Sequence, residues 1–534
     1  MLRLKSDRPI AHRLRQTNFK IQTDQSHQTS YQNCGDRPMT ISDLSQSPPD
    51  RLPSVGPLTM MRLGLFNMGL GLMAVLTLAV LNRVMISELD IPATVTAGAL
   101  AVPQFMAPAR VFFGQLSDSK KIFGLHRSGY VWIGTILFGS AVFLAVQIVW
   151  KLAAIVQANG GWIWTGETTL WTIALGSVLG FYGLALSSSS TPFTALLVDI
   201  SEEKTRSKIV AVVWSMLLVG VVIGGISGSI FLSKVQQSGV ILGANVGSMI
   251  SQGEKLLNTP LDSLRAPINS LFIIAPAIAF SLGLLGTIGV ERKYSRFRQK
   301  QSVKQRDDQI TFAESLKIVT TSRQTAIFFT FLVIFTISLF MQEAVLEPYG
   351  GEVFGMSIGE STLLNSYWGM GVLAGYSATG FFVVPKLGKK NTARLGCVLT
   401  AACFGLMILA GVTQQPNILK YALVLFGAAT GIGTIGAISL MLDLTAAETA
   451  GTFIGTWALA QAMSRAIATL LGGVVLDIGR AIFEVPLLAY SSVFALQAIG
   501  MTCAVLVLNR VNVREFKENT KQVIATVLEG ELDG

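Results

Sequence analysis

The sequence predicts an all-α polytopic membrane protein of about twelve transmembrane helices arranged in two six-helix halves. Three observations carry this. Apolar runs of about 20 residues, the length that crosses a bilayer, recur along nearly the whole chain after residue 58. Only 13% of the 534 residues are charged and 51% are hydrophobic, whereas soluble domains are about a quarter charged. Basic loops alternate with loops that hold few cations, the pattern by which membrane proteins set their orientation.

Taken in order, residues 1–57 are rich in Gln, Ser, Thr, Pro and Arg, lack an apolar core and read as a disordered polar tail. No apolar h-region precedes the first span, so the tail is not a secretory signal. It faintly resembles an organelle transit peptide, against which its scattered aspartates count; a functional start at Met60 or Met61 is the other reading. Spans are then predicted at roughly 63–86, 93–113, 129–150, 169–197, 208–232, 268–290, 324–347, 361–384, 394–413, 418–441, 452–477 and 486–508. The amino-terminal half occupies 58–290, a basic linker 291–323, the carboxy-terminal half 324–508 and a terminal tail 509–534.

The loop after the second span carries Lys120, Lys121 and Arg127; after the fourth, Lys204, Arg206 and Lys208; after the eighth, Lys386, Lys389, Lys390 and Arg394. The linker adds KYSRFRQKQSVKQR. On the opposite side Lys151, Lys420 and Arg480 stand nearly alone, apart from the long 233–267 loop. Both termini are therefore expected in the cytoplasm. The loop after the tenth span, with Asp443 and Glu448 but no cation, is the exception. The net charge of +10 lies in loops and tails, so the expected partner is the lipid bilayer and not nucleic acid.

The halves echo one another. LLVDISEEKTRSKIVAVVW, after the fourth span, can be laid on LMLDLTAAETAGTFIGTW, after the tenth, pairing Asp199 with Asp443 and Thr205 with Thr449. Parallel six-helix halves are the architecture of major facilitator transporters, whose cavity lies between them. GQLSDSKKIFGLHR, between the second and third spans, resembles the major facilitator loop. In that reading Gly114 lets two helices approach, and Asp118 holds a helix N-terminus or a nearby Arg, gating the cytoplasmic side. The insertion IFGLH between Lys121 and Arg127 obscures where the cationic partner falls; a plain basic loop is the alternative.

Charge inside the spans marks candidate sites, because an ion in hydrocarbon costs a few kcal/mol or more and usually faces a cavity or a partner. FMQEAVLEPYGGEVFGM sets Glu343 and Glu347 at membrane depth and is expected to end its helix at Pro348, Gly350 and Gly351. The alternative is a helix end with acids in the headgroups. Arg83, in the first span, matches the depth of Glu343 in the equivalent seventh, so the two are expected to pair across the interface unless each snorkels separately. Gln461 and Arg465 share one face of the eleventh span, with Arg465 near its middle and suited to an anionic substrate group. Arg110, near the cytoplasmic end of the second span, reads as structural.

The four cysteines, Cys34, Cys397, Cys403 and Cys503, show no ligand spacing and read as free thiols; the three histidines lie outside the spans. No phosphate-binding Gly loop, HExxH or GxSxG occurs, so no enzyme activity and no resident metal is expected.

LNRVMISELDIPA, SDSKKIFGLHRSGYVWIG, MQEAVLEPYGGEVFGM and DLTAAETAGTFIGTWALAQA together resemble the PucC/LhaA family, the bacteriochlorophyll-delivery branch of the major facilitator superfamily, over roughly residues 60–510. The resemblance implies delivery of chlorophyll or bacteriochlorophyll as cargo and assembly of light-harvesting complexes in the inner or thylakoid membrane of a phototroph. Light-harvesting apoproteins or pigment-synthesis enzymes would be its partners. Without histidine in the spans, a pigment magnesium would need an oxygen ligand; Asn82, Gln342, Glu343 and Gln461 are the candidates. Phe340, Tyr367, Trp368 and Trp457 are candidate walls for a macrocycle, a role ordinary packing explains as well. Two other functions stand beside this one: a proton-coupled transporter of a small amphiphile with Glu343 titrating, and a non-transporting assembly scaffold.

Overall fold

Where apolar residues surround a helix on every side, lipid or other helices must cover it, and the chain folds accordingly. The computed structural model describes residues 55–201, 203–242, 261–295, 323–443, 450–512 and 515. Nearly all of the predicted tails and of the linker lie outside these residues, as do Glu448, Thr449 and the side chains of Thr205 and Asp443.

The elements are α1 (Pro57–Glu88), α2 (Ala93–Phe105), α3 (Ala109–Ser119), α4 (Ser128–Ala158), α5 (Gly166–Ile200), α6 (Glu203–Leu242) and α7 (Leu261–Thr287). After the linker come α8 (Arg323–Phe340), α9 (Leu346–Phe354), α10 (Ile358–Ala378), α11 (Lys389–Thr413), α12 (Pro416–Asp443), α13 (Ala450–Ile482) and α14 (Pro486–Asn509). Among the described residues, ten helices are long and apolar enough to cross a membrane. The predicted second and eighth spans are not among them. The second is broken into α2 and α3 at Met106–Pro108, and α10 is diluted by Gly, Ser, Thr and Asn.

Three local features position the centre of the molecule. First, α1 contains two π-helical turns, Leu76–Val80 and Val84–Glu88, which flank Asn82 and Arg83. Such turns insert a residue and re-aim side chains, and they recur at functional sites.

Second, the seventh span does not end at Pro348. It ends at Phe340, a 3₁₀ turn follows over Met341–Ala344, and Pro348 lies in the first turn of the new helix α9. Pro is tolerated there because a first-turn N–H has no intrahelical acceptor. Gly355, with φ +66°, terminates α9, and the N–H groups of Gly355 and Met356 bond to the carbonyls of Gly351 and Gly350.

Third, the helices pack as two groups. Before the linker, α1 packs on α6 and α7, α4 on α5 and α7, and α2 on α5; after it, α11 packs on α12 and α14, α8 on α13 and α14, and α10 on α12. The groups meet along two seams, α6–α10 and α2–α13. The hydrogen bonds that join described residues of the two groups fall from mid-helix toward the face opposite the basic loops. This far face is sealed by direct contact: Asp477 accepts from the N–H groups of Ala93 (3.0 Å) and Thr94 (2.7 Å), and Ser366 donates to the Val222 carbonyl (2.9 Å).

Candidate functional site: a polar centre between the helix groups

The 3₁₀ turn after α8 swings Glu343 toward α13, where Arg465 receives it. Nε of Arg465 donates to one carboxylate oxygen at 3.0 Å and its Nη2 to the other, and the guanidinium lies 4.6 Å from the centre of the Phe340 ring. A two-pronged, charge-assisted pair of this kind is stronger than a neutral hydrogen bond, and the ring face adds a cation–π contact.

The expected Arg83–Glu343 pair is not formed. Arg83 lies farther along α1, where its Nη2 pairs with Glu88 at 3.1 Å and donates to the Met356 carbonyl at 3.4 Å. Its guanidinium occupies the space that a side chain on Gly351 would need, so a larger residue there would have to displace it. Helix α9 is what separates the partners, because it places Gly351 and Met356, not Glu343, at the level of Arg83. A neighbouring network completes this layer: Ser87 and Arg480 both donate to Glu352, at 3.1 and 2.6 Å, and Arg480 also reaches the Tyr490 hydroxyl.

Asn82, the residue before Arg83, makes the contact across the groups. Its amide nitrogen donates to the Glu343 carbonyl (3.2 Å) and to the Glu347 carboxylate (3.1 Å), while Asn365 of α10 donates to the other Glu347 oxygen at 2.7 Å. Glu347 is therefore a buried acid held by two neutral amides, and no ion pair to it occurs among the described residues.

Of the four candidate pigment ligands, Glu343 is engaged by Arg465, and Asn82 and Gln342 are buried, each with an unpartnered amide oxygen. Gln461 is only partly buried, and no hydrogen bond to its side chain occurs among the described residues. Trp368 and Trp457 have buried indole N–H groups without a protein acceptor. Sequence reasoning missed Asn365, Asp477 and Glu352, which look like ordinary polar residues near helix ends. Arg110, read as structural, is an exposed residue at the second position of α3.

The basic-loop motif assembles away from this centre. The insertion IFGLH folds into a tight turn in which Ile122 and Leu125 exchange backbone hydrogen bonds, with Phe123 and Gly124 both at positive φ. The turn returns Arg127 to Asp118 (2.5 Å), and the same guanidinium bonds Asp199 (2.9 Å) and Ser117. Glu291 accepts from the N–H groups of His126, Arg127 and Ser128, completing the α4 N-terminus. Gly114 is less constrained than expected: an added Cβ would meet Thr191 at 3.6 Å, an ordinary contact.

Helical groups meeting at two seams around a polar centre define a membrane protein of the major facilitator architecture. The nucleoside transporter NupG shares that fold, with a TM-score of 0.58 at 13% identity over 85% of this chain and 99% of its own. Within that architecture the chain belongs to the PUCC protein family, whose model matches residues 80–516. It is 26% identical over 490 residues to Protein PucC of Rhodobacter capsulatus, covering 88% of this chain and 97% of the relative. It is also 26% identical over 454 residues to the protein named bacteriochlorophyll synthase 44.5 kDa chain of the same species, covering 84% and 93%.

Proposed function

We propose that this protein carries (bacterio)chlorophyll-type pigment for the assembly of light-harvesting complexes, moving it between the helix groups without chemical change. The observation that supports the reading best is the family match across residues 80–516, which includes the polar centre from Asn82 to Asp477. One relative over most of the chain bears a bacteriochlorophyll name. In this reading the membrane is the inner or thylakoid membrane of a phototroph, and the basic loops and both termini are cytoplasmic. Pigment-synthesis enzymes or light-harvesting apoproteins meet the protein there. A far face sealed by hydrogen bonds between the groups suits a carrier that loads from the cytoplasmic side.

A second reading, proton-coupled transport of a small amphiphile, is favoured by one observation. Glu347 is a buried carboxylate bonded by amides and no cation among the described residues, the environment of a group that can exchange a proton. The two readings part in one experiment. Purification in mild detergent from a pigmented phototroph should yield bound pigment, lost in a Gln461→Leu variant that remains folded. A folded, pigment-free wild-type protein showing substrate-dependent proton flux in liposomes would reject the first reading for the second.

A further inference from the structure

On the face of the basic loops, a groove opens between the start of α1 and the chain that leaves α7. Helix α7 runs out at Thr287, Gly289 turns the backbone through the left-handed region (φ +73°), and a short helical turn follows over Val290–Tyr294. Arg62, in the second turn of α1, closes the end of α7. Its Nε donates to the Leu285 carbonyl at 2.7 Å and its Nη2 to the Ile288 carbonyl at 2.5 Å. A cation there satisfies carbonyls that lack an intrahelical partner and complements the helix dipole. That role occupies two of the five guanidinium N–H groups, and no other hydrogen bond to Arg62 occurs among the described residues.

Lys293 lines the same groove, its ammonium 5.2 Å from the centre of the Tyr294 ring. The groove encloses about 350 Å³, and Leu58, Thr59, Ile288 and Tyr294 also line it. Two cations therefore share one cavity whose lining contains no acid. Glu291, the neighbouring carboxylate in sequence, is committed to the N–H groups of His126, Arg127 and Ser128. No ion pair to Arg62 or Lys293 occurs among the described residues.

The position of the groove defines the anion that suits it. Leu58 and Ile288 are exposed, and both belong to the ends of helices long and apolar enough to cross a membrane. A free phosphate leaves these side chains uncovered, whereas a phospholipid brings a phosphate to the cations and carbon to the apolar residues. Tyrosine is enriched at headgroup level, and basic pockets between spans on the cytoplasmic side bind anionic headgroups. A zwitterionic lipid would carry a further cation into the cluster and is the poorer ligand.

We propose that this groove binds the headgroup of an anionic phospholipid, with Arg62 and Lys293 holding its phosphate and Leu58 and Ile288 packing against its glyceryl and acyl carbons. A lipid held there ties the start of the first span to the start of the linker between the helix groups. The site lies outside the polar centre and is independent of the pigment reading.

The test titrates the detergent-solubilised full chain with dioleoyl phosphatidylglycerol, dioleoyl phosphatidylcholine or inorganic phosphate, counting bound molecules by native mass spectrometry. The first phosphatidylglycerol should bind roughly 10- to 30-fold more tightly than the first phosphatidylcholine, as two interfacial cations predict, and inorganic phosphate should bind weakly. Lys293→Gln, which leaves the Arg62 contacts with α7 in place, should remove roughly fivefold of that preference. Arg296→Gln/Arg298→Gln, which removes two charges from the linker and none from the groove, should leave most of it. Equal binding of the two lipids by wild-type protein overturns the site. A preference that survives Lys293→Gln and falls in the linker variant also overturns it, in favour of diffuse attraction. Phosphate binding as tight as that of phosphatidylglycerol overturns the lipid in favour of a free anion. Each of these outcomes leaves the pigment reading intact.

Discussion

Arg465 on α13 grips Glu343 on the turn after α8 with two hydrogen bonds, closing an ion pair inside the carboxy-terminal helix group instead of across the seam. Among the described residues the seam itself is joined by hydrogen bonds without an ion pair: Asn82 donates to the Glu347 carboxylate, Arg83 to the Met356 carbonyl, and the N–H groups of Ala93 and Thr94 to Asp477. Ion pairs are thus kept within a group, and the bonds that must break when the groups separate each have a single charged partner or none. A neutral hydrogen bond contributes about 0.5–1.5 kcal/mol net and one to a charged group about 1.5–3 kcal/mol, strengths suited to a reversible closure.

The pairing itself is open to a charge test. Arg465→Gln leaves Glu343 without its cation and should lower stability by about 1–3 kcal/mol, toward the low end because Arg465 is partly exposed. The double variant Arg465→Gln/Glu343→Gln should recover part of that loss in a thermal unfolding assay. Reversing Arg83 and Glu343 together should rescue nothing, since they are not partners; restoration by that double reversal would contradict the geometry.

Closure of the far face depends on small residues and one carboxylate. Gly473 packs directly on the backbone of Ala93, and Asp477 accepts the first N–H groups of α2. Gly473→Leu should force α2 from α13, and Asp477→Ala should weaken the same contact by about 0.5–2 kcal/mol, as loss of a helix N-cap does. Each should raise the rate at which a cysteine placed at Ala97 reacts with a water-soluble thiol reagent. An unchanged rate in both would show that the seam is held elsewhere.

Arg127 is the most heavily engaged cation near the basic loops, with its side chain 4% exposed between Asp118 and Asp199. Arg127→Ala leaves Asp199 buried and uncompensated, at a cost of about 3–5 kcal/mol. Deleting residues 122–125 should be as harmful, because the turn they form is what brings Arg127 back to the acids. A deletion variant as stable as wild type in a thermal melt would mean that the insertion is incidental.

Glu347 separates coupling from carriage. Glu347→Gln removes the titrating group while a glutamine oxygen still accepts from Asn82 or Asn365, so folding should be little changed. If protons drive the cycle, substrate-dependent proton flux in liposomes should vanish in this variant. Flux equal to wild type would exclude Glu347 as the proton carrier.

The sequence by itself determined the class of fold and much of its site inventory. Span length, charge depletion and alternating basic loops reflect what a bilayer demands of any segment within it, and such demands act residue by residue. They marked Arg83, Glu343, Glu347 and Arg465 as charges in need of a cavity or a partner. Only the tertiary structure decided who those partners are. A helix break at Phe340 instead of Pro348 turns Glu343 to Arg465 and sets α9 opposite Arg83, and a tight turn at Phe123–Gly124 returns Arg127 to Asp118 and Asp199. Pairing depends on where backbones bend and in which direction helices run, and a one-dimensional pattern of charge and hydropathy carries neither.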